Sequence, residues 1–411
     1  MTEFLKVKTA PEVLSILDEI PPLPAETVLL EQAGGRALAS DITAPESVPH
    51  FARATMDGFA VRARDTFGAS ESLPALLEIA GEVTMGVAAG GALESGRAFA
   101  IPTGGMLPGG ADAVVMVEYT QVLDGKMIEV TRPVAPGENV LDIGDDIREG
   151  ETIFEKGWRL RPQDVGVLAA LGITGVSVFR RPRVAVISTG DEIVPVDTGT
   201  VPPGKVRDIN TFALAAQIES AGAVAGLREK VPDTLEDLVA TSLRALAGHD
   251  MVVLSGGSSV GARDYTVRVL ERLPQSRLLV HGVAIRPGKP IILGLSGEKL
   301  FWGLPGQPAS ALITCRAFVV PSLERLQGRR AEWSRQSAFR AVLNRRMPSV
   351  HGRTDFIPVA IDRNVPGLPE ALPIFGKSGA ISLLARAEGY VIVPEHVEGY
   401  DRGTEVNVHL F

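Results

Sequence analysis

Five charged residues of this chain fall in glycine- and proline-rich stretches where their types and spacing suit chemistry. Asp191 and Glu192 lie in STGDE, Asp264 in SGGSSVGARDY, and Arg286 and Lys289 in RPGKP. Carboxylates of this kind suit a divalent cation, particularly one that bridges phosphate oxygens. The guanidinium and the ammonium suit an oxyanion or a phosphate. Such a rim around backbone N–H donors points to phosphoryl or nucleotidyl chemistry rather than hydride or acyl transfer. Plain rim salt bridges are the structural alternative.

The N–H donors belong to DMVVLSGGSSVGARDYT, residues 250 to 266. Met251, Val252, Val253 and Leu254 show no polar alternation, which predicts a strand covered on both faces. Ser255, Gly256, Gly257 and Ser258 follow, and the glycines let the backbone turn its N–H groups toward an anion. Asp264 opens a helical pattern, so it either caps that helix or holds a cation beside the anion. A tight strand-to-helix turn accounts for the same residues without a ligand. Two other phosphate loops are excluded by spacing: G-x-G-x-x-G is absent, and Pro290 stands where a Walker loop needs Ser or Thr.

The elements that must position these loops run from residue 181. RVAVIS, VAGLREKV and DMVVLS read as strands, and NTFALAAQIESAG and DTLEDLVATSLRALAG as helices, the second with Asp233 and Glu236 as a capping box. This alternation predicts a doubly wound, mostly parallel α/β domain over 181–327, with its ligand beyond the carboxyl ends of the strands. GLPGQPAS is a further loop at a strand exit, before a helix starting near Pro308.

On either side the patterning changes. Val13, Leu14, Ile16, Leu17 and Ile20 predict one helix within 1–22, stopped by Pro21 and Pro22 and packed with the α/β domain. Residues 23 to 44 read as a second short helical segment, LLEQAGGRALA. It falls in a linker domain made of 23–44 and 141–180, to which the helix from Pro162 to Gly172 also belongs. Residues 45–140 read as an inserted β-rich domain with a hairpin turned at Asp124-Gly125. Asp57 in ATMDGFAV and Thr103 in IPTGGMLPGG are its polar features, although an Asp-Gly pair and a Gly-Pro loop are ordinarily just turns. After the charged linker RRAEWSRQ, residues 328–411 predict a C-terminal β-barrel.

Composition narrows the function. With 411 residues and 45 % hydrophobic content the chain supports several cores, and a net charge of -8 argues against nucleic acid or an anionic membrane as partner. A lone cysteine, Cys315, allows no internal disulfide and fits a reducing cytoplasm, and the six histidines supply no zinc-ligand set. No signal-peptide or membrane pattern is found.

Taken in order, ATMDGFAV, IPTGGMLPGGADAVVMVE, STGDE, SGGSSVGARDY, RPGKP, GLPGQPAS, GRTDF and SGAISLLARAEGYVIVP resemble the molybdopterin molybdenumtransferase family, which includes the gephyrin E domain. The resemblance covers essentially the whole chain. It implies four subdomains, with the linker domain elongated, and a homodimer whose active site is shared between chains. It also implies a Mg²⁺-dependent reaction in which adenylylated molybdopterin receives molybdate at its dithiolene and AMP is released. By motif match, Asp191, Glu192 and Asp264 are the acids that handle Mg²⁺ and the adenylyl group. Ser255, Gly256, Gly257 and Ser258 become the pterin phosphate loop, and Arg286 lies on the same rim. Lys289, Arg353 and Ser378 become molybdate contacts, while Asp57 and Thr103 face the site from the β-rich domain. The upstream adenylyltransferase and downstream molybdoenzymes are the implied protein partners. Two rival readings use the same features, a molybdopterin adenylyltransferase and a non-catalytic scaffold on this fold. The chain departs from the family pattern at Leu141, Asp142 and Ile143, where basic residues are usual, and at Ser258, Gln307 and Leu383.

Overall fold

The computed structural model describes residues 7–256, 262–329, 338–377 and 379–411, apart from the side chains of Ala262, Arg263 and Asp264. The chain forms two compact units, one of Met1–Ser40, Lys156–Arg161 and Gly175–Phe411, the other of Asp41–Glu155 and Pro162–Thr174. The linker RRAEWSRQ lies largely outside the described residues.

The first unit is built on a six-stranded mixed sheet. Its strands lie in the order Val224–Val231, Arg183–Thr189, Met251–Gly256, Lys299–Leu304, Ile292–Ser296 and Ser276–His281. The first four are parallel, and Ile292–Ser296 runs against both its neighbours, so Ser276–His281 points the same way as the first four. Alternate residues of Arg183–Thr189 enter different cores, as a sheet covered on both faces requires. Val184 and Val186 pack with Leu214 and Ile218 of the helix Asn210–Ser220, while Ala185 and Ile187 pack with Leu235 and Leu238 of the helix Leu235–Gly248. Each large side chain so buried contributes about 1.5–3 kcal/mol. From Arg183–Thr189 the chain moves outward to Val224–Val231, then crosses back to Met251–Gly256. The crevice of this sheet therefore opens where those two central strands end.

Val13 and Leu17 of the helix Ala10–Asp18 join the first of these cores. So does a long helical stretch in which Pro308–Thr314 and Val320–Leu326 are joined by a π-helical turn, Cys315–Val319. Pro321 follows that turn and has no N–H to give to a regular α-ladder, which explains the local loosening. Cys315 is fully buried there, and burial pushes its thiol up to about 12. It is an inert core group.

Five strands, Ala338–Leu343, Thr354–Asp362, Glu370–Pro373, Gly389–Val393 and Glu405–Leu410, close into a barrel. Closure comes from Thr354–Asp362, which pairs antiparallel with both Glu370–Pro373 and Gly389–Val393. Val359, Val391, Val406 and Val408 fill the interior.

The second unit carries a six-stranded sheet in the order Ala113–Met116, Gly58–Val61, Arg97–Ile101, Ala75–Glu82, Met127–Val130 and Thr120–Leu123. Its last two strands form the hairpin expected at Asp124-Gly125, whose φ values of 51° and 66° are those of a primed turn.

Two sequence expectations are corrected. LLEQAGGRALA is not a helix: Ala25–Leu29 is a strand paired antiparallel with Gly175–Phe179, followed by a single 3-10 turn, Leu30–Gln32. Pairing with the β-branched run GVSVF overrides the weak helical pattern, which Gly34-Gly35 cuts short. The helix Pro162–Ala170 belongs to the second unit, whereas residues 23–40 belong to the first. The second correction concerns the cap of Leu235–Gly248. Thr234, not Asp233, is the N-cap and accepts from the Asp237 N–H, which frees Asp233 for a different partner.

Candidate active site

The site is built at the carboxyl edge of the first unit's sheet. Arg183–Thr189 and Met251–Gly256 run side by side to their ends, with Ser188 opposite Ser255 and Thr189 opposite Gly256. A β-carbon on Gly256 would stand 1.9 Å from the Thr189 carbonyl oxygen, and its φ is 135°. Only glycine lets the two loops leave the sheet this close together.

Asp191 and Glu192 follow Thr189 after one glycine, Gly190, and are exposed. Their loop is pinned by Lys205, whose Nζ donates to the Asp191 carbonyl at 2.7 Å, and by the Val206 N–H, which donates to the Glu192 carbonyl at 2.8 Å. Both carboxylates remain in solvent, and such oxygen donors fit a hard divalent cation. Among the described residues no group of three or more His, Cys, Asp or Glu side chains stands ready to hold a metal ion. The Asp264 side chain, expected as the third acid, lies outside them, although its backbone begins the helix Ala262–Glu271 after the neighbouring strand.

A carboxylate that sequence reasoning assigned to a cap does face this edge. Asp233 Oδ1 accepts from Thr189 Oγ1 at 3.2 Å, just beyond the end of Val224–Val231. The signal was its place directly after a strand end rather than its spacing to Glu236.

Ser255 takes a different part from the one its motif suggested. It is fully buried, its Oγ accepts from Asn210 Nδ2 at 2.9 Å and donates to the Pro305 carbonyl at 3.2 Å. The same Asn210 Nδ2 donates to the Gly306 carbonyl at 2.9 Å. One buried amide thus ties the serine-glycine loop to GLPGQPAS, and the Ser255 hydroxyl has no reach left for a ligand. Gly257, Ser258 and Ser378 lie outside the described residues.

A cleft of about 710 Å³ opens in the same unit, lined by Arg286, Gln307, Asp355 and Lys377 among apolar walls that include Ile313, Phe356 and Leu384. The RPGKP loop is held against the barrel by a parallel ladder that sets Ile285 opposite Thr354 and Arg286 opposite Asp355. Arg286 is therefore brought into the cleft, whereas Lys289, exposed three residues on, does not line it. Arg353 also stands outside the lining but binds one of its walls: Nε and Nη2 donate to the Asp355 carboxylate at 2.8 and 3.4 Å. Asp355 and Lys377 were not singled out from sequence. Asp355 was visible inside GRTDF, but nothing in the motif said that its carboxylate would be buried.

In the second unit, Asp57 and Thr103 meet. Gly58 pairs with Ile101, which puts Asp57 beside the loop beginning at Pro102. Gly58 also lies tight against the strand on the other side: a β-carbon there would stand 1.9 Å from the Val115 carbonyl oxygen, so only glycine lets Gly58–Val61 lie so close to Ala113–Met116. The Thr103 N–H donates to Asp57 Oδ1 at 2.6 Å, and this bond, helped by the Thr103 side chain, holds the Asp57 carboxyl below its ordinary range.

Comparison with known proteins identifies the family and its fold. Residues 6–172 match the MoeA N-terminal region (domain I and II), 185–325 the "Probable molybdopterin binding domain" and 340–411 the MoeA C-terminal region (domain IV). The molybdopterin molybdenumtransferase of Haemophilus influenzae is 32% identical over 398 residues, covering 96% of each chain. The chain belongs to the molybdopterin molybdenumtransferase (MoeA) family. That of Bacillus subtilis is 34% identical over 389 residues, 94% of this chain and 89% of its own. The molybdopterin biosynthesis MoeA protein of Pyrococcus horikoshii OT3 superimposes with a TM-score of 0.85 at 34% identity, covering 99% of this chain and all of that one. The family is one of transferases in molybdenum cofactor biosynthesis. Its fold, an α/β domain with a closed five-stranded C-terminal barrel and mixed sheets, is the one found here.

Proposed function

We propose that this protein inserts molybdate into adenylylated molybdopterin and releases AMP. The observation that carries the reading is the conjunction, within one unit, of a carboxylate-bearing strand edge and a cationic cleft. Asp191, Glu192 and Asp264 hold Mg²⁺, which when bound supplies charge neutralisation at the phosphate oxygens. Gly256, Gly257 and Ser258 turn backbone N–H groups toward the pterin phosphate, with Ser255 fixing the loop from below through Asn210. Arg286, Lys289, Arg353 and Ser378 receive the oxyanion: guanidinium forks and an ammonium offset the two negative charges of molybdate. Asp57 and Thr103 act in the same reaction from the second unit, with the Asp57 carboxylate kept ionised by the Thr103 N–H.

The protein works as a homodimer in the cytoplasm, where its single buried thiol meets no oxidant. The domain organisation we propose keeps the segments read from sequence: a helix in 1–22, a linker of 23–44 and 141–180, a β-rich insert of 45–140, an α/β domain of 181–327 and a barrel of 328–411. Its product passes to molybdoenzymes, and its pterin substrate comes from an adenylyltransferase. Incubation with adenylylated molybdopterin and Mg²⁺ tests the reading: AMP should form when molybdate is added. AMP release that ignores molybdate contradicts it.

A further inference from the structure

We infer that Asp355 is a positioning residue for the oxyanion, acting through Arg353. The inference rests on the reaction proposed above and names a residue outside the set the motifs assign. Asp355 sits on the barrel strand Thr354–Asp362, its backbone fixed between Arg286 on one side and Val393 on the other. Its side chain is only 4% exposed yet contributes to the cleft wall. The Arg353 side chain is 30% exposed, and its Nε and Nη2 both donate to this carboxylate. A guanidinium is a planar fork of several N–H donors on a flexible stem. Held along one edge by a carboxylate that cannot move, it keeps its remaining N–H groups in a fixed direction for a second, tetrahedral acceptor.

Charge makes the inference falsifiable. Arg286, Lys377 and Arg353 are cationic and Asp355 is anionic, so simple Coulomb reasoning says that removing Asp355 should strengthen binding of a dianion. Positioning says the opposite, because a freed fork must be reordered each time molybdate binds.

The test titrates sodium molybdate against AMP release for wild type, Asp355→Asn and Arg353→Lys, with pterin-nucleotide affinity measured separately. Positioning predicts that Asp355→Asn raises the half-saturating molybdate concentration about tenfold, the size of losing one charge-assisted hydrogen bond. Pterin-nucleotide affinity should stay unchanged, while the melting temperature should fall modestly because a buried charge-assisted bond is weakened. Arg353→Lys, which cannot fork, should show the same rise. In an Arg353→Ala background Asp355→Asn should add nothing further. A folded Asp355→Asn with unchanged or lower half-saturation overturns the inference, as does an equal loss of pterin-nucleotide affinity. If Asp355→Asn does not fold, Arg353→Lys decides, and wild-type half-saturation there overturns it. Wild type that releases no AMP with molybdate sinks the proposed reaction instead, and calorimetric molybdate binding to wild type and Asp355→Asn then decides the positioning claim by itself.

Discussion

The Thr103 backbone N–H donates to Asp57 Oδ1 across 2.6 Å, joining two residues that the sequence separates by three strands and their turns. The bond favours the ionised carboxyl, so Asp57 titrates below the ordinary 3.8. A carboxyl whose folded pKa is lowered contributes stability above its unfolded pKa and loses it as pH falls through the folded value. The contribution is thus constant across neutral pH and disappears only under acid conditions. Following the Thr103 amide shift by NMR should give a midpoint below 3.8, and a midpoint at or above that value contradicts the bond.

Gly256→Ala should be among the most damaging single substitutions. Its β-carbon would meet the Thr189 carbonyl oxygen at 1.9 Å with φ at 135°. Backbone strain alone costs about 1–3 kcal/mol, and the clash adds to it. Urea unfolding should show a loss above about 2 kcal/mol together with loss of activity. Stability equal to wild type would mean the two strands separate more easily than their ladder implies.

Asn210→Ala should weaken the fold by about 1–3 kcal/mol, because it removes the one amide that donates to both the buried Ser255 hydroxyl and the Gly306 carbonyl. Ser255→Ala removes less and should cost less. Equal losses in chemical denaturation would argue that Asn210 serves Ser255 alone.

Glu192→Ala and Asp264→Ala are expected to separate activity from stability. Glu192 is exposed and pairs with no side chain among the described residues, so its removal should change stability by less than about 0.5 kcal/mol while abolishing AMP release. Wild-type turnover in either variant would remove these acids from the Mg²⁺ site.

Much of the fold was legible because its periodicities are strong. The continuous apolar runs at 184–187 and 251–254 fit strands covered on both faces, and both clusters of core residues bear this out. The segment at 25–29 was misread because five residues with one buried position, Val28, carry almost no pattern, and only the partner at 175–179 makes it a strand. At the site, motifs located loops but not the duties of single atoms. Ser255 looked like a ligand contact and is a buried tie. Asp233 looked like a cap and faces Thr189, because one residue of shift at a helix start moves the cap to Thr234. Asp355 depends on burial created by a strand pairing across distant segments, which no local spacing records.

The central claim is that molybdate insertion and AMP release are one coupled reaction on this chain. The most direct measurement counts, in a single incubation with adenylylated molybdopterin and Mg²⁺, the AMP released and the molybdenum bound to pterin as molybdate is raised. The account predicts that both rise together in equal amounts and that neither appears without molybdate. AMP formed in its absence, or molybdenum bound with no AMP released, would contradict it.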